Sequence, residues 1–121
     1  MPFRLTSPKL KLSENDVEDA CIELLRLRGY WCIRQHVGLF RTKDGRWIRM
    51  GTPGTPDWAT MHARYPGFFV EFKRPGADLS QEQATKFFEI QCGYRLAAVM
   101  IDSVDKLVAW LDAHEKRARG P

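Results

Sequence analysis

The sequence is poor in cysteine, lacks a long apolar run, and contains no internal repeat or low-complexity segment in its 121 residues. Cys21, Cys32 and Cys92 are odd in number, far apart and without a C-x-x-C pair, so neither a disulfide framework nor a zinc cluster is predicted. We expect all three to be buried, reduced packing residues. The longest apolar run, residues 96–101, is far shorter than the ~20 residues that span a bilayer. With no signal segment at its start either, the chain is expected to be cytoplasmic, with no membrane partner.

Size and charge set the next limits. A chain of 121 residues with 44% hydrophobic content can form one compact domain but is too short for two ordinary ones. Nineteen Lys and Arg against fifteen Asp and Glu give a net charge of +4. This balance mildly favours a polyanionic partner, although a solvated basic surface explains it equally well unless a chemical site points the same way.

The apolar pattern divides the chain into an irregular arm at 1–12, a single domain at 13–114 and a basic tail at 115–121. A first helix is predicted to begin after the N-cap Ser13, with Asp16 three residues on, and to stop at Gly29. Its apolar positions recur at helical spacing and share one face: Val17, Ala20, Cys21, Leu24 and Leu25.

Two hairpins are predicted to follow the first helix. The first joins YWCIRQHVGLFRT to WIRM through the Asp-Gly turn of KDGR, and the second joins DWATMH to FFVEFKR through ARYPG. A helix capped by Ser80 and stopped by Gly93, a buried strand in RLAAVMID and a final amphipathic helix complete the domain. The apolar side of the final helix comprises Val104, Leu107, Val108 and Leu111. The predicted fold class is α/β (α+β), a mixed sheet flanked by helices.

The strand FFVEFKR carries an acid and a base on one face. Side chains alternate along a strand, so Glu71 and Lys73 point away from the apolar face. An isolated E-x-K is more often a surface ion pair, worth only ~0 to 1 kcal/mol. Here, however, Asp57 starts the preceding strand directly after a proline turn, and a short hairpin brings it opposite Glu71 and Lys73. That turn belongs to GTPGTPDWAT, in which the first Gly-Thr-Pro is interpreted as a stiff connector.

Two carboxylates and a lysine at a strand end suit metal-dependent hydrolysis of a phosphodiester. Mg²⁺, for which Mn²⁺ can substitute, usually takes one or two protein carboxylates, with waters and substrate phosphate as its other ligands. Asp57 and Glu71 would supply these oxygens, helped by the backbone carbonyl of Phe72. The metal polarises the phosphate and lowers the pKa of a bound water. Lys73 would orient that water or offset charge in the transition state.

The run GTPDWATMHARYPGFFVEFKRPGADLSQEQ resembles the VRR-NUC family of the PD-(D/E)XK, restriction-endonuclease-like nuclease superfamily. Pro56-Asp57 matches the P-D element of the superfamily, and Glu71-Phe72-Lys73 matches its E-x-K element. Neither motif is specific alone, but together with the element order over residues 13–101 they are. The resemblance implies a restriction-endonuclease-like core of order α-β-β-β-α-β-α, here with an extra N-terminal β-hairpin. It also implies a homodimer that acts on Holliday junctions or other branched DNA.

The same resemblance implies two further site residues. One is a glutamine early in the helix after the E-x-K strand, which corresponds to Gln83, and the other is an acidic residue in the first helix. Gln83 equally fits a capping box with Ser80, and the two roles do not exclude each other. For the acid, Glu14 lies ~50° and Glu18 ~90° from the centre of the apolar stripe at ~100° per residue. Glu14 is therefore favoured and Glu18 is its alternate, although Glu14 also simply suits a helix N-terminus.

Basic side chains interleave with aromatic ones around the first hairpin, a pattern typical of surfaces that contact nucleic acid. The candidate DNA-binding residues are Arg34, Arg41, Lys43, Arg46, Arg49 and Arg74. A solvated basic hairpin whose aromatics pack on the core is the competing interpretation, and it is the better one for any single arginine. No feature of the sequence defines a dimer face; Trp110 on the last helix is one candidate but more often such a residue is core.

Three functions fit these residues. The favoured one is a Mg²⁺-dependent DNA endonuclease that cuts branched DNA, and an origin in a phage or a mobile element would fit it. The second, a non-catalytic DNA-binding module of the same fold, would lack a motif residue, whereas Asp57, Glu71 and Lys73 are all present. The third is a sequence-specific restriction-type endonuclease. It is less favoured because no recognition helix or zinc finger is found.

Overall fold

The computed structural model describes residues 12–120, so the expected N-terminal arm lies outside the described residues except for Leu12. These residues form three α-helices, a π-helical turn and six strands. In chain order the elements are α1 (Glu14–Leu27), β1 (Trp31–Arg34), β2 (Gly38–Arg41), β3 (Trp47–Met50), β4 (Trp58–Met61), β5 (Phe68–Phe72), α2 (Gln81–Phe88), the π-helical turn (Glu89–Gly93), β6 (Ala97–Ile101) and α3 (Val104–Ala118). No helix in this part of the chain has the length and apolar character needed to cross a membrane.

Four strands form one mixed sheet in the order β1-β4-β5-β6. The pairs β1–β4 and β4–β5 are antiparallel, whereas β5 and β6 run parallel. Parallel neighbours need a crossover connection, which α2 and the π-helical turn supply. The predicted α+β class is therefore confirmed, and so is the expectation of a mixed sheet with helices on its faces.

Local signals place the helix ends where the sequence predicts them. In α1, Ser13 Oγ accepts from the Asp16 N–H at 3.1 Å, and Asp16 Oδ2 accepts from the Ser13 N–H at 2.9 Å. The helix stops before Gly29, whose φ of +89° suits glycine. The assignment of Ala20 to the buried face of α1 is wrong, because Ala20 is exposed and Ile22 is buried instead.

The main core lies between one face of the sheet, α1 and α3. Its fully buried side chains come from all three layers: Cys21, Leu25, Val70, Phe72, Ile101, Leu107 and Leu111. A smaller cluster on the opposite face joins Phe87 and Ile90, from α2 and the π-helical turn, to Ala98 of β6. Both faces of β5 are therefore covered, including the face that carries Glu71.

The first predicted hairpin requires a correction. The run 30–42 does not form one strand, because β1 joins the main sheet whereas β2 pairs with β3 in a separate two-stranded sheet. The chain leaves the main sheet at Gln35, and Gly38, with φ +144°, begins β2 in a backbone region that favours glycine. The extra hairpin is consequently inserted between β1 and β4 and is not N-terminal to the core.

Three smaller expectations also change. Asp57 precedes β4 and does not start it. Cys21 and Cys32 are buried free thiols as expected, but Cys92 is exposed, because the π-helical turn directs Ile90 toward the sheet. On α3, Val104 is exposed, while Leu107 and Leu111 are fully buried.

Helix α3 runs on to Ala118, through the first residues of the expected tail. Glu115 is buried there, and its two carboxylate oxygens accept from Arg28 Nη2 at 2.8 and 2.9 Å. This ion pair ties the end of α3 to the end of α1, which accounts for helical order beyond residue 114.

Candidate active site

Asp57 and Glu71 meet at one end of the β4–β5 pair. Trp58 lies opposite Val70 in the antiparallel register, so the next positions outward are Asp57 and Glu71. The backbone N–H of Asp57 donates to Glu71 Oε1 at 3.2 Å. The Asp57 carbonyl in turn accepts from the Gln35 N–H at 2.6 Å. The backbone of Asp57 is thus held from both sides, by β5 and by the chain that follows β1.

The carboxyl of Glu71 is almost completely withdrawn from solvent, at 2% exposure. Burial raises the pKa of Glu71 to about 8, the adjacent Asp57 carboxylate adds to the rise, and the positive charge of Lys73 opposes it. Two carboxyl groups this close cannot both ionise cheaply without a compensating charge. Near neutral pH this pair therefore retains a proton unless a cation takes its place.

Lys73 and the turn that follows it are anchored to the end of β6. The Lys73 N–H donates to the Ile101 carbonyl at 3.0 Å. Asp102 Oδ2 accepts from the Gly76 N–H at 3.2 Å, and Asp102 Oδ1 pairs with Lys106 Nζ at 2.8 Å. The hydrogen bond from Lys106 is the main reason that the pKa of Asp102 is lowered. Sequence reasoning missed Asp102, although an acid directly after a buried strand was a usable signal.

The duplicated Gly-Thr-Pro turn packs against two different parts of the protein. A Cβ on Gly51, where φ is +71°, would lie 2.9 Å from the His36 carbonyl oxygen. A Cβ on Gly54, where φ is +82°, would lie 2.5 Å from the Glu82 carbonyl oxygen in α2. The first copy, interpreted above as a mere connector, thus contacts the base of the β2–β3 hairpin. The second contacts α2, and together they position the chain that leads into Asp57.

We expect Gly54→Ala to lower the melting temperature more than Gly76→Ala. The two glycines have nearly equal φ values, +82° and +81°, so the left-handed strain of about 1–2 kcal/mol is common to both variants. Only Gly54 has backbone atoms close to the added methyl group, whereas Gly76 has no heavy atom within 4 Å. Thermal unfolding followed by circular dichroism measures the difference, and equal losses would show that the contact with α2 is unimportant.

The two candidate acids of α1 have different surroundings. Glu18 Oε1 accepts from Trp58 Nε1 at 2.6 Å, and its Oε2 lies 3.5 Å from Arg34 Nη1. Glu14 is exposed and lines a surface depression together with Lys73 and Arg74. Among residues 12–120, no group of three or more His, Cys, Asp or Glu side chains is arranged to hold a metal ion. Neither acid therefore joins Asp57 and Glu71 in such a cluster.

Gln83 has the capping geometry that its sequence position predicts. Its Oε1 accepts from the Ser80 N–H at 2.9 Å, and Ser80 Oγ accepts from the Gln83 N–H at 3.1 Å. The side-chain oxygen of Gln83 is thus engaged at the start of its own helix.

The six basic candidates fall into two groups. Arg34 lies 5.5 Å above the Trp58 ring, and Arg74 lines the depression with Lys73, so both lie near the acids. The others lie on the β2–β3 hairpin: Arg41, Lys43, Arg46 and Arg49. The competing idea that the hairpin aromatics pack on the core is wrong, because Phe40 is 44% and Trp47 61% exposed.

A scan against protein-family models and a search of curated proteins both found no match for this sequence. The chemistry of the site therefore rests on its own side chains. Within the described residues, those side chains are two adjoining carboxyl groups, one of them buried, with Lys73 directly after β5 and close enough for its charge to act on Glu71.

Proposed function

We propose that this protein is a metal-dependent endodeoxyribonuclease that hydrolyses phosphodiester bonds, with a preference for branched DNA. The observation that carries the proposal is the burial of Glu71 beside Asp57, with Lys73 directly after β5. A buried carboxyl group beside a second carboxylate is costly to ionise unless a proton or a cation compensates the charge, and such pairs are often found at functional sites. A bound cation would supply that compensation in place of the proton that Glu71 otherwise retains.

The donor set fits Mg²⁺. This ion favours oxygen ligands and often takes only one or two protein carboxylates, so a site with two acids suffices. Asp57 and Glu71 would hold it, together with the backbone carbonyl of Phe72, whose side chain is buried in the core. When bound, the cation would polarise the scissile phosphate and lower the pKa of a water molecule.

The protein side chains supply the remaining electrostatics. Lys73 is partly exposed, and it shares its surface depression with Arg74. Positive charge at this opening attracts a phosphate and stabilises charge that develops on it during cleavage. Asp102 and the Ile101 carbonyl hold the backbone on either side of Arg74, so Lys73 is presented from a constrained segment.

The order of the elements also supports the proposal. With the β2–β3 hairpin set aside, the described residues follow α-β-β-β-α-β-α. This is the order implied by the resemblance to the VRR-NUC family. We propose on the same resemblance that the protein acts as a homodimer, which would present two sites to opposed strands of a junction. Trp110 is half-buried, packs on Phe68 and stacks on His114, which favours the core role over a role in the dimer contact.

A cleavage panel tests the proposal. Linear duplex, single strand, flap and four-way junction are each incubated with Mg²⁺, Mn²⁺ or EDTA. We expect cleavage that EDTA abolishes, with junctions and flaps cut in preference to linear duplex. Binding without cleavage would favour a non-catalytic module, and discrete fragments from linear duplex would favour a sequence-specific enzyme. Sedimentation velocity of the free protein tests the homodimer.

Substitution of the two α1 acids should separate their roles. We expect Glu14→Gln to reduce junction cleavage with only a small loss of melting temperature, because Glu14 is exposed at the start of α1 and shares the depression with Lys73. Glu18→Gln should instead lower the melting temperature, because it weakens the hydrogen bond with Trp58 Nε1. Cleavage rates and thermal unfolding of both variants give the comparison. A larger loss of cleavage in a stably folded Glu18→Gln protein would reverse this assignment.

A further inference from the structure

The β2–β3 hairpin exposes apolar side chains on both of its faces. Within the described residues its strands pair only with each other. Its large apolar residues are between 44% and 61% exposed: Leu39, Phe40, Trp47, Ile48 and Met50. A two-stranded ribbon alone buries little surface and is only marginally stable in water. So many exposed apolar groups on one short ribbon indicate a surface that contacts a partner.

The register of the hairpin separates its side chains into two chemically different faces. Arg41 lies opposite Trp47, and Leu39 lies opposite Arg49, so these four share the first face. On this face the Arg41 guanidinium lies 5.6 Å above the Trp47 ring. The second face carries the cross-strand pair of Phe40 and Ile48, with Met50 beside it, and no charged side chain among the paired residues 38–41 and 47–50. The first face therefore combines two arginines with apolar side chains, whereas the paired residues of the second face are apolar.

The charge of the hairpin selects the chemistry of its partner. Residues 38–50 contain four basic side chains and one acid, Asp44, which pairs with Arg46 at 3.0 Å. Two copies of so basic a ribbon would repel each other if their hairpins were brought together. A polyanion is attracted instead, and a two-stranded ribbon has a suitable width for a DNA groove.

Both ends of the hairpin are tied to the segment that carries Asp57. Before β2, the Gln35 N–H donates to the Asp57 carbonyl at 2.6 Å. After β3, Gly51 packs against the His36 carbonyl at the start of the turn that leads to Asp57. DNA held by the hairpin would therefore lie next to the proposed catalytic pair.

We infer that this hairpin is a wedge that recognises the branch point of DNA, an inference that rests on the proposed nuclease function. The face of Arg41 and Arg49 follows the phosphate backbone, and the Phe40–Ile48 pair stacks on the base pair left open at the branch. Apolar wedges and aromatic side chains contact bases in this way when base stacking is interrupted. Continuous duplex offers no open base pair, so this contact distinguishes branched from linear DNA.

The test measures DNA binding in EDTA, so that cleavage plays no part. A four-way junction carries 2-aminopurine beside its branch point, and wild type is expected to increase its fluorescence by unstacking that base. In Phe40→Ala/Ile48→Ala we expect most of this increase to vanish. The preference for junction over linear duplex should fall about tenfold, the scale of one lost stacking contact, with duplex affinity unchanged.

Arg41→Ala/Arg49→Ala is the matched control on the opposite face. It should weaken binding to junction and duplex equally and reduce the slope of log affinity against log salt by about 2, since two phosphate contacts are lost. All four substituted residues are exposed, so circular dichroism should show unchanged folding.

Two results would overturn the inference. One is an apolar-face variant that keeps both the fluorescence increase and the junction preference. The other is a monomeric Phe40→Ala/Ile48→Ala protein where wild type is a dimer, as measured by sedimentation velocity. That result would make this face a contact between two copies of the chain. A wild type that cuts no DNA but still unstacks the branch base would refute the nuclease function alone and leave branch recognition supported.

Discussion

Lys73→Ala is expected to reduce the rate of junction cleavage by at least about 100-fold, while folding and DNA affinity remain close to those of wild type. Loss of a charge that stabilises a transition state typically costs 10²–10³ in rate. The backbone hydrogen bond from residue 73 to the Ile101 carbonyl does not depend on the side chain, so the strand should persist. Single-turnover cleavage at saturating Mg²⁺ isolates the chemical step, and a filter-binding assay in EDTA measures affinity.

Lys116→Ala is the control for charge alone. Lys116 is exposed near the end of α3. The neighbouring Glu115 contacts Arg28 at the C-terminal end of α1, whereas Glu14 and the depression beside Lys73 lie at the N-terminal end of that helix. This variant removes the same charge and should cut junctions at the wild-type rate. Normal turnover by Lys73→Ala would refute the assigned catalytic role. A parallel loss of DNA affinity and cleavage would instead make Lys73 a binding residue.

Glu71→Gln is expected to abolish cleavage and to make the protein more stable than wild type at alkaline pH. Burial is the chief reason that the pKa of Glu71 is raised to about 8 in the folded protein from an ordinary value of 4.5. Between pH 4.5 and pH 8, Glu71 therefore keeps its proton in the folded protein but releases it in the unfolded chain. Its contribution to stability is fully present below pH 4.5 and is lost as the pH rises through 8. Glutamine is neutral throughout, so the variant avoids this loss.

Unfolding in EDTA at pH 5, 7 and 8.5 measures this effect. The melting temperature of Glu71→Gln relative to wild type should rise steadily across the series. Glu23→Gln, at an exposed position of α1, should follow wild type at every pH. A constant difference between Glu71→Gln and wild type would contradict the raised pKa of Glu71.

Added Mg²⁺ gives a second readout of the same site. A ligand that binds only the folded state raises the melting temperature, so wild type and Glu23→Gln should be stabilised, most strongly near pH 8. Glu71→Gln, which lacks one of the two proposed carboxylate ligands, should respond weakly. Equal stabilisation of all three proteins would show that Mg²⁺ binds elsewhere.

The approach of Asp57 to Glu71 was predictable because it depends on a short hairpin. Once ARYPG is recognised as a turn, strand alternation decides which residues face each other, and the observed register agrees. The burial of Glu71 was not predictable in this way. It arises because α2, reached only after the chain leaves β5, packs its apolar side chains onto that face of the sheet.

The choice between Glu14 and Glu18 shows a similar limit. Helical geometry gave each acid an angle relative to the apolar stripe, but Trp58 Nε1 decides what Glu18 contacts. The single strand expected over residues 30–42 failed for a related reason. Its composition suits a strand throughout, and only the partner available to each part, β4 or β3, divides it between two sheets.

The sequence by itself determined the helix caps, the turns, the strand alternation and the pairing of Asp57 with Glu71, because each depends on residues close together along the chain. The tertiary structure decided the position of the β2–β3 hairpin, the contacts of Gly51 and Gly54, and the burial that raises the pKa of Glu71. These features depend on which segments, distant along the chain, pack together when the core forms. Local sequence propensity does not specify those long-range contacts.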